Sequence, residues 1–405
     1  MNSYYFLFEI SLILFTTKLL GLLSRRIKLP QVVGALLAGI IIGPCVLNIV
    51  VENEFITQLS EIGVIFLMFI AGLETDIDAL KKQGKASFVI ALLGVLIPFV
   101  LGLGTTYLFG KLGMEEIMGN SNLFLESVFV GVILTATSVS ITVETLREMG
   151  KLNSSVGNAL LGAAIIDDIL GIIALSVVSS FADTSVKISV ILLKIVLYFV
   201  FMAVVSFILY KVLKTWFTDS ENFKRHVIAV IGLCLLLAYI SEEYFGVADI
   251  TGAFITGLII SAVGLKKEKI MFAVDDLSYA FLSPIFFASI GLKLVLPDMS
   301  MMIVVYAIVL SIIAIISKIC GCALGAKMFK FSNRESLQIG AGMVSRGEVA
   351  LIVANKGMKL GILSNVIFAP ILIVVIVTTI VAPILLKIAF GENKTKINQK
   401  RRLAN

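Results

Sequence analysis

Gly34-Ala35-Leu36-Leu37-Ala38-Gly39-Ile40-Ile41-Ile42 and Gly252-Ala253-Phe254-Ile255-Thr256-Gly257-Leu258-Ile259-Ile260 are two renderings of one pattern. Each sets two glycines five residues apart and then runs into bulky apolar residues. A weaker pair follows downstream, Ala71-Gly72-Leu73-Glu74 and Ile290-Gly291-Leu292-Lys293. What this recurrence means depends on how many helices separate the copies, and therefore on the solvent of the chain. Of the 405 residues, 59% are hydrophobic and 15% charged, with a mean hydropathy of +1.06. Soluble domains are about half apolar and roughly a quarter charged, so a lipid bilayer is the solvent that can accommodate this chain.

A membrane span needs about 20 mostly apolar residues. By that criterion there are about 13 candidates, at 4–23, 31–50, 55–73, 86–110, 123–145, 155–181, 187–213, 226–245, 248–265, 278–296, 301–326, 335–358 and 363–388. The glycine pattern falls in the second and ninth, and its weaker companion in the third and tenth. Seven spans is an odd number, so the copies face opposite ways. The expectation is an all-α polytopic membrane protein with inverted six-helix repeats. Residues 1–181 form the first repeat, 182–225 a linker helix and loop, 226–388 the second repeat, and 389–405 a basic tail. Chance similarity between small-residue helices is the competing explanation, because such patterns also serve plain packing. Inverted repeats characterise secondary transporters, whose sites lie near the midplane between the repeats.

Loop charge sets orientation. Arg25, Arg26, Lys28, Lys81, Lys82, Lys85, Arg147, Lys151, Lys211, Lys214, Lys224, Arg225, Lys266, Lys267, Lys269, Lys327, Lys330 and Arg334 belong to one set of alternate loops; Lys111, Lys187, Lys293, Lys356 and Lys359 belong to the other. The positive-inside rule then puts the N-terminus outside and the C-terminus in the cytoplasm, in a multi-pass cell-membrane protein. The N-terminal run lacks a basic leading segment and is broken by Glu9 and Lys18, so it is expected to be retained. The net charge of +6 does not imply nucleic acid as a partner, since the basic residues cluster beside spans and not along one face. Cys45, Cys234, Cys320 and Cys322 lie in apolar stretches and read as buried thiols. The single histidine, His226, reads as a span-edge residue without a special role.

Repeat symmetry pairs the fifth span with the twelfth. The fifth carries Thr135-Ala136-Thr137-Ser138-Val139-Ser140, and the twelfth Gly340-Ala341-Gly342-Met343-Val344-Ser345-Arg346-Gly347-Glu348. Hydroxyls, glycines and opposite charges at mid-span predict backbone breaks, tolerated at membrane depth only where buried in protein or lining a cavity. Two interrupted helices crossing near the midplane are therefore expected. Arg346, Glu348 and Thr135 are candidates for neutralising and scaffolding the helix ends there.

Asp167 and Asp168 lie about 12 residues from either end of the sixth span, or roughly 18 Å. A charge there costs about 2.5–3.5 kcal/mol on insertion scales, and an Asp stem is too short to snorkel. Lys318 is equally central. Glu74, Asp76, Glu144 and Glu148 read as interfacial or loop-end charges. The five central charges, Asp167, Asp168, Lys318, Arg346 and Glu348, fall one positive charge short of neutrality. A hard monovalent cation such as Na⁺, or a proton, would close the deficit. Oxygen ligands suit such an ion: Asp168, Asp167, the hydroxyls of Thr137 and Ser138, and carbonyls freed at the break. Lys318 can pair with Asp167 when cation is absent. A site that holds Na⁺ or H⁺, but not both, exchanges one for the other.

With these residues assembled, Thr135-Ala136-Thr137-Ser138, Gly162-Ala163-Ala164-Ile165-Ile166-Asp167-Asp168-Ile169-Leu170-Gly171, Lys318 and Ser345-Arg346-Gly347-Glu348 resemble the monovalent cation:proton antiporter 2 family. Within it they are closest to bacterial NapA-type Na⁺/H⁺ antiporters and spore-germination antiporters. The resemblance implies an NhaA-like fold, a homodimer and elevator-like movement, with no enzymatic activity and no resident cofactor. It implies Asp168 as main cation ligand, Asp167 as the lysine-paired proton carrier, and electrogenic Na⁺(Li⁺)/H⁺ exchange. K⁺/H⁺ or mixed-cation exchange, and a sodium-coupled organic-anion symporter on a similar fold, are the alternatives.

Overall fold

The computed structural model describes residues 4–114, 122–182, 188–216, 223–264, 267–294 and 300–391. The basic tail beyond Gly391 lies outside them. The described residues form helices: α1 (Tyr5–Arg26), α2 (Gln31–Ile42), α3 (Glu54–Glu74), α4 (Ile77–Phe109), α5 (Leu123–Thr135), α6 (Val139–Glu148), α7 (Ser155–Ala182), α8 (Ile188–Trp216), α9 (Phe223–Phe245), α10 (Asp249–Val263), α11 (Lys267–Leu277), α12 (Ser283–Leu292), α13 (Met301–Met328), α14 (Asn333–Gly342), α15 (Glu348–Lys359) and α16 (Asn365–Phe390). Short π-helical turns follow α4 and join α11 to α12. Among the described residues ten spans are long and apolar enough to cross a membrane, with α5–α6 and α11–α12 each counted as one, and α2 and α10 are shorter apolar helices.

Local chemistry starts several of these helices. Asn53 accepts from the Ile56 amide at 2.9 Å and caps α3. Asp76 accepts from Asp78 and Ala79 at 2.9 and 3.2 Å and caps α4. Ser332 and Glu335 form a reciprocal capping box on α14, the arrangement that satisfies two orphan amides at once. Several helix limits differ from the sequence expectation. α4 begins at Ile77, so Lys81, Lys82 and Lys85 sit on its first turns and not in a loop. The second span stops at Ile42 because Gly43 turns extended. The tenth starts at Lys267 and runs through the π turn to Leu292. Cys320, expected as a buried thiol, is instead exposed and Cys45 half-buried, while Cys322, about 200° round the helix from Cys320, is buried.

The helices pack as two groups. One contains α1, α2, α3, α9, α10, α11 and α12; the other contains α4 to α7 and α13 to α16; α8 touches both, through α7 and α10. The repeated glycines lie at the centre of the first group. A Cβ on Gly39 of α2 would run into the Ala288 carbonyl of α12, and one on Gly291 of α12 would sit 2.5 Å from the Leu36 carbonyl of α2. The second copy does the same with the roles exchanged. A Cβ on Gly257 of α10 would strike the Phe69 carbonyl of α3, and one on Gly72 of α3 the Phe254 carbonyl of α10. Small residues let backbones approach this closely where lipid supplies no hydrophobic drive for helix association. Ser60 and Ser289 add a 2.6 Å hydroxyl contact between α3 and α12. In the second group, Thr106 and Tyr306 join α4 to α13 at 2.9 Å, and Ser87 donates to the Ala159 carbonyl of α7 at 3.1 Å.

These crossings predict that Gly257→Ala lowers stability by about 1–3 kcal/mol, the usual cost of overpacking. At Gly171 an added Cβ would meet nothing within 4 Å. That position should tolerate alanine or gain up to about 1 kcal/mol of helix propensity. Thermal unfolding of the two variants in detergent provides the comparison.

Candidate ion-binding site

The fifth and twelfth spans are both interrupted, and the interruptions meet. α5 ends at Thr135 and α6 begins at Val139; α14 ends at Gly342 and α15 begins at Glu348. The intervening segments hold each other by hydrogen bonds. The Ser138 amide donates to the Ser345 carbonyl at 2.8 Å, and the Ser345 hydroxyl donates back to the Ser138 carbonyl at 2.8 Å. Thr142 donates to the Gly342 carbonyl at 2.5 Å and its hydroxyl lies 3.0 Å from that of Ser345. The three bonds to backbone satisfy groups that the broken helices leave orphaned. Gly347 is required here, because a Cβ would come within 2.8 Å of the Ser138 hydroxyl.

Two cations close the exposed C-terminal end of α5. Lys318, at 0% exposure on α13, donates to the Thr135 carbonyl at 2.7 Å and to Asp167 Oδ1 and Oδ2 at 2.9 and 3.2 Å. An ammonium has three donors, and these three contacts use them. Arg346, also at 0% exposure, donates to the carbonyls of Leu134 at 2.7 Å, Ala314 at 3.1 Å and Val344 at 3.0 Å. Its own carbonyl accepts from Thr379. Positive charge at a helix C-terminus opposes the macrodipole, so Lys318 and Arg346 stabilise the same break from two sides.

Asp167 and Asp168 lie midway along the 28-residue α7. Asp167 is buried against Lys318, and Asp168 is half-buried one residue on. Thr137 stands at the break with its buried hydroxyl directed towards Asp167, making no hydrogen bond of good geometry among the described residues. A cavity of about 10 Å³ adjoins it, lined by Thr137, Thr142, Ala164 and Gly342 among others; about 10–15 Å³ is the space of one water. The Ser138 hydroxyl contacts that of Ser140 at 3.2 Å, and the Thr135 hydroxyl is turned back onto the Val132 carbonyl at 2.7 Å. Thr135 thus presents its carbonyl, and not its hydroxyl, to the site. Glu348 opens α15; its side chain lies outside the described residues.

Other charges proved less peripheral than their positions suggested. Glu148, read as a loop-end charge, is the last residue of α6 and accepts the Gln31 and Val32 amides at 2.8 and 3.2 Å. Pro30 leaves α2 without a side-chain cap of its own, which was the available signal that a distant carboxylate caps it. Glu144 is buried. Glu74 pairs with Arg147 at 2.9 Å. His226 is buried against Trp216, ring centroids 4.4 Å apart.

A multi-span bundle with two broken helices crossing over a lysine-paired carboxylate has the architecture of a membrane transporter. A transmembrane sodium/hydrogen exchanger family model matches residues 11–391. The Na(+)/H(+)-K(+) antiporter GerN of Bacillus cereus is 41% identical over 388 residues, covering 95% of this chain and 96% of that one. The Na(+)/H(+) antiporter of Enterococcus hirae is 36% identical over 384 residues, covering 93% and 96%. The sodium proton antiporter MjNhaP1 of Methanocaldococcus jannaschii shares the fold, with a TM-score of 0.69 at 20% identity over 96% of this chain and 100% of that one. The chain belongs to the sodium/hydrogen exchanger family. It is a multi-pass cation/proton antiporter of the membrane and not an enzyme.

Removing one member of a buried ion pair costs about 3–5 kcal/mol, chiefly by stranding the other charge. Lys318→Gln should therefore destabilise the protein by an amount of that order, and Asp167→Asn/Lys318→Gln by less than the sum of the single changes. A double-mutant cycle on thermal unfolding measures the coupling.

Proposed function

We propose that this chain is an electrogenic Na⁺(Li⁺)/H⁺ antiporter in which cation and proton compete for Asp167 and Asp168. The observation that carries the reading is the buried Lys318–Asp167 pair at 2.9 Å, set where two broken helices meet and one residue from a half-buried second carboxylate. When Na⁺ enters, Asp168, Asp167 and the unpartnered Thr137 hydroxyl supply oxygen ligands, with Ser138 close by. Na⁺ displaces the proton held on Asp168, and Lys318, having lost its carboxylate partner, releases a second; when Na⁺ leaves, the pair re-forms and both protons return, so each turnover moves net charge. Oxygen donors of this kind suit hard cations.

The reciprocal glycine crossings, Gly39 with Gly291 and Gly72 with Gly257, support inverted repeats over residues 1–181 and 226–388, joined by the linker at 182–225. Counting α2, α10 and the α14–α15 pair with the ten long helices gives 13 crossings. The second helix group carries the ion site and moves against the first, which forms the face of a homodimer. The basic loops lie in the cytoplasm, with the N-terminus outside and residues 389–405 as a cytoplasmic tail. K⁺ is the competing substrate, a reading favoured by the relative named as a Na(+)/H(+)-K(+) antiporter at 41% identity.

Proteoliposomes with an imposed pH gradient, challenged separately with Na⁺, Li⁺ and K⁺, decide between these. Na⁺ and Li⁺ should collapse the gradient, and Asp168→Asn should reduce the rate by about a hundredfold or more, as loss of a group required in each turnover does. A response to K⁺ alone, or full exchange by Asp168→Asn, would overturn the proposal.

A further inference from the structure

The last turn of α6 ties the two helix groups together through contacts that ion coordination does not use. Arg147 reaches from α6 to Glu74 at the end of α3, 2.9 Å away, and to Asp275 on α11, 2.6 Å away. Glu144, on its own helix, stands 3.9 Å from the same guanidinium. One residue on, the Glu148 carboxylate takes the first two amides of α2. On the same face, Lys387 of α16 donates to the Lys28 carbonyl ahead of α2. The side chains of one helical turn thereby engage α2, α3 and α11, all members of the first group. At the other end, Lys293 pairs with Glu52 at 3.4 Å, Asn53 with Glu9 at 3.0 Å, and the Ser364 amide with Glu126 at 2.9 Å, each within one group.

We propose that Arg147 and Glu148 form a releasable latch between the two groups, and that the latch opens in every transport cycle. This rests on the antiport reading above, in which the groups move relative to each other. Three features distinguish a latch from a permanent staple. First, α6 runs only ten residues from the crossing to the latch, about 15 Å at 1.5 Å per residue, so its end follows the ion site as one rigid piece. Second, a cavity of about 710 Å³ borders the turn, with Glu144, Glu148, Lys18, Gln31 and Phe287 among its walls. On the side of Glu144 and Glu148 the turn faces open space, while Leu146 on its other side packs into the core. Third, Arg147 lies against Glu74, Asp275 and Glu144 together. Once it withdraws, Glu74 and Asp275 lose the cation between them, which favours two distinct positions over a continuum.

The test uses a cysteine-free background in which Gln31→Cys/Glu148→Cys is bridged by a short bifunctional methanethiosulfonate. The control bridges Glu52→Cys/Lys293→Cys, two partly exposed positions within the first group. Bridging the latch pair should lower Na⁺-driven proton flux by about tenfold or more, with recovery on reduction, while the bridged control stays within about twofold of its reduced form. Retained flux in the bridged latch pair, or equal loss in the control, overturns the latch. Arg147→Cys/Asp275→Cys serves if the first pair fails to accumulate. If the unmodified chain moves neither Na⁺ nor K⁺, the antiport reading falls separately. Hydrogen exchange at the Gln31 and Val32 amides then judges the latch. Arg147→Gln should speed it about tenfold relative to the segment around Ser60, and unchanged exchange overturns the proposal.

Discussion

Three hydrogen bonds from one buried ammonium organise the centre of this protein. Lys318 carries charge into a place where water cannot compensate it, and its donors go to Asp167 and to the orphaned carbonyl of Thr135. The pair solves two problems together. It neutralises a carboxylate that membrane burial would otherwise make very unfavourable, and it terminates a helix that stops in mid-bundle. The same economy makes the arrangement responsive. Anything that takes the Asp167 carboxylate away from Lys318 also changes the electrostatics at the end of α5.

Arg346 keeps that dependence from becoming fragile. It holds Leu134, one residue before Thr135, and also Ala314, one turn before Lys318 on α13. The broken end of α5 is thus anchored by a second cation, independently of Lys318. The serine exchange between the two breaks, Ser138 with Ser345 in both directions, fixes one interrupted span against the other. Around this rigid centre, the contacts between the helix groups are of another kind. The two groups share one apolar core, and to it the end of α6 adds charged ties beside a cavity. Cohesion inside each group comes from close backbone packing, which does not yield gradually. Attachment between the groups combines a shared apolar core with ion pairs and a helix cap, and those polar ties can be exchanged for water.

Much of this was legible along the chain because it is written in local terms. Asp167 and Asp168 declare themselves by cost, since carboxylates at mid-span need a reason. The hydroxyl run at Thr135–Ser140 and the glycines and charges at Gly340–Glu348 announce broken helices through the same logic of backbone polarity in lipid. The paired glycines announce close crossings. What could not be read was the identity of the partners. Nothing near Arg346 in sequence points to Leu134 or Ala314. Glu148 looked like a loop-end charge because its partner amides, at Gln31 and Val32, are more than a hundred residues away.

The amino-acid sequence by itself therefore determined the solvent, the helical class, the breaks, and the residues too expensive to be incidental. Each of these follows from transfer free energies and chain periodicity, which are properties of short windows. The tertiary structure alone decided which carbonyls Lys318 and Arg346 satisfy, that Thr135 offers its carbonyl in place of its hydroxyl, that the Thr137 hydroxyl is left over beside Asp167, and that the end of α6 grips three helices of the other group. Those are questions of distance and direction between segments far apart in the chain. Hydrogen bonds and ion pairs act over a few ångströms with defined geometry, so only the folded arrangement can choose among the many partners that composition allows.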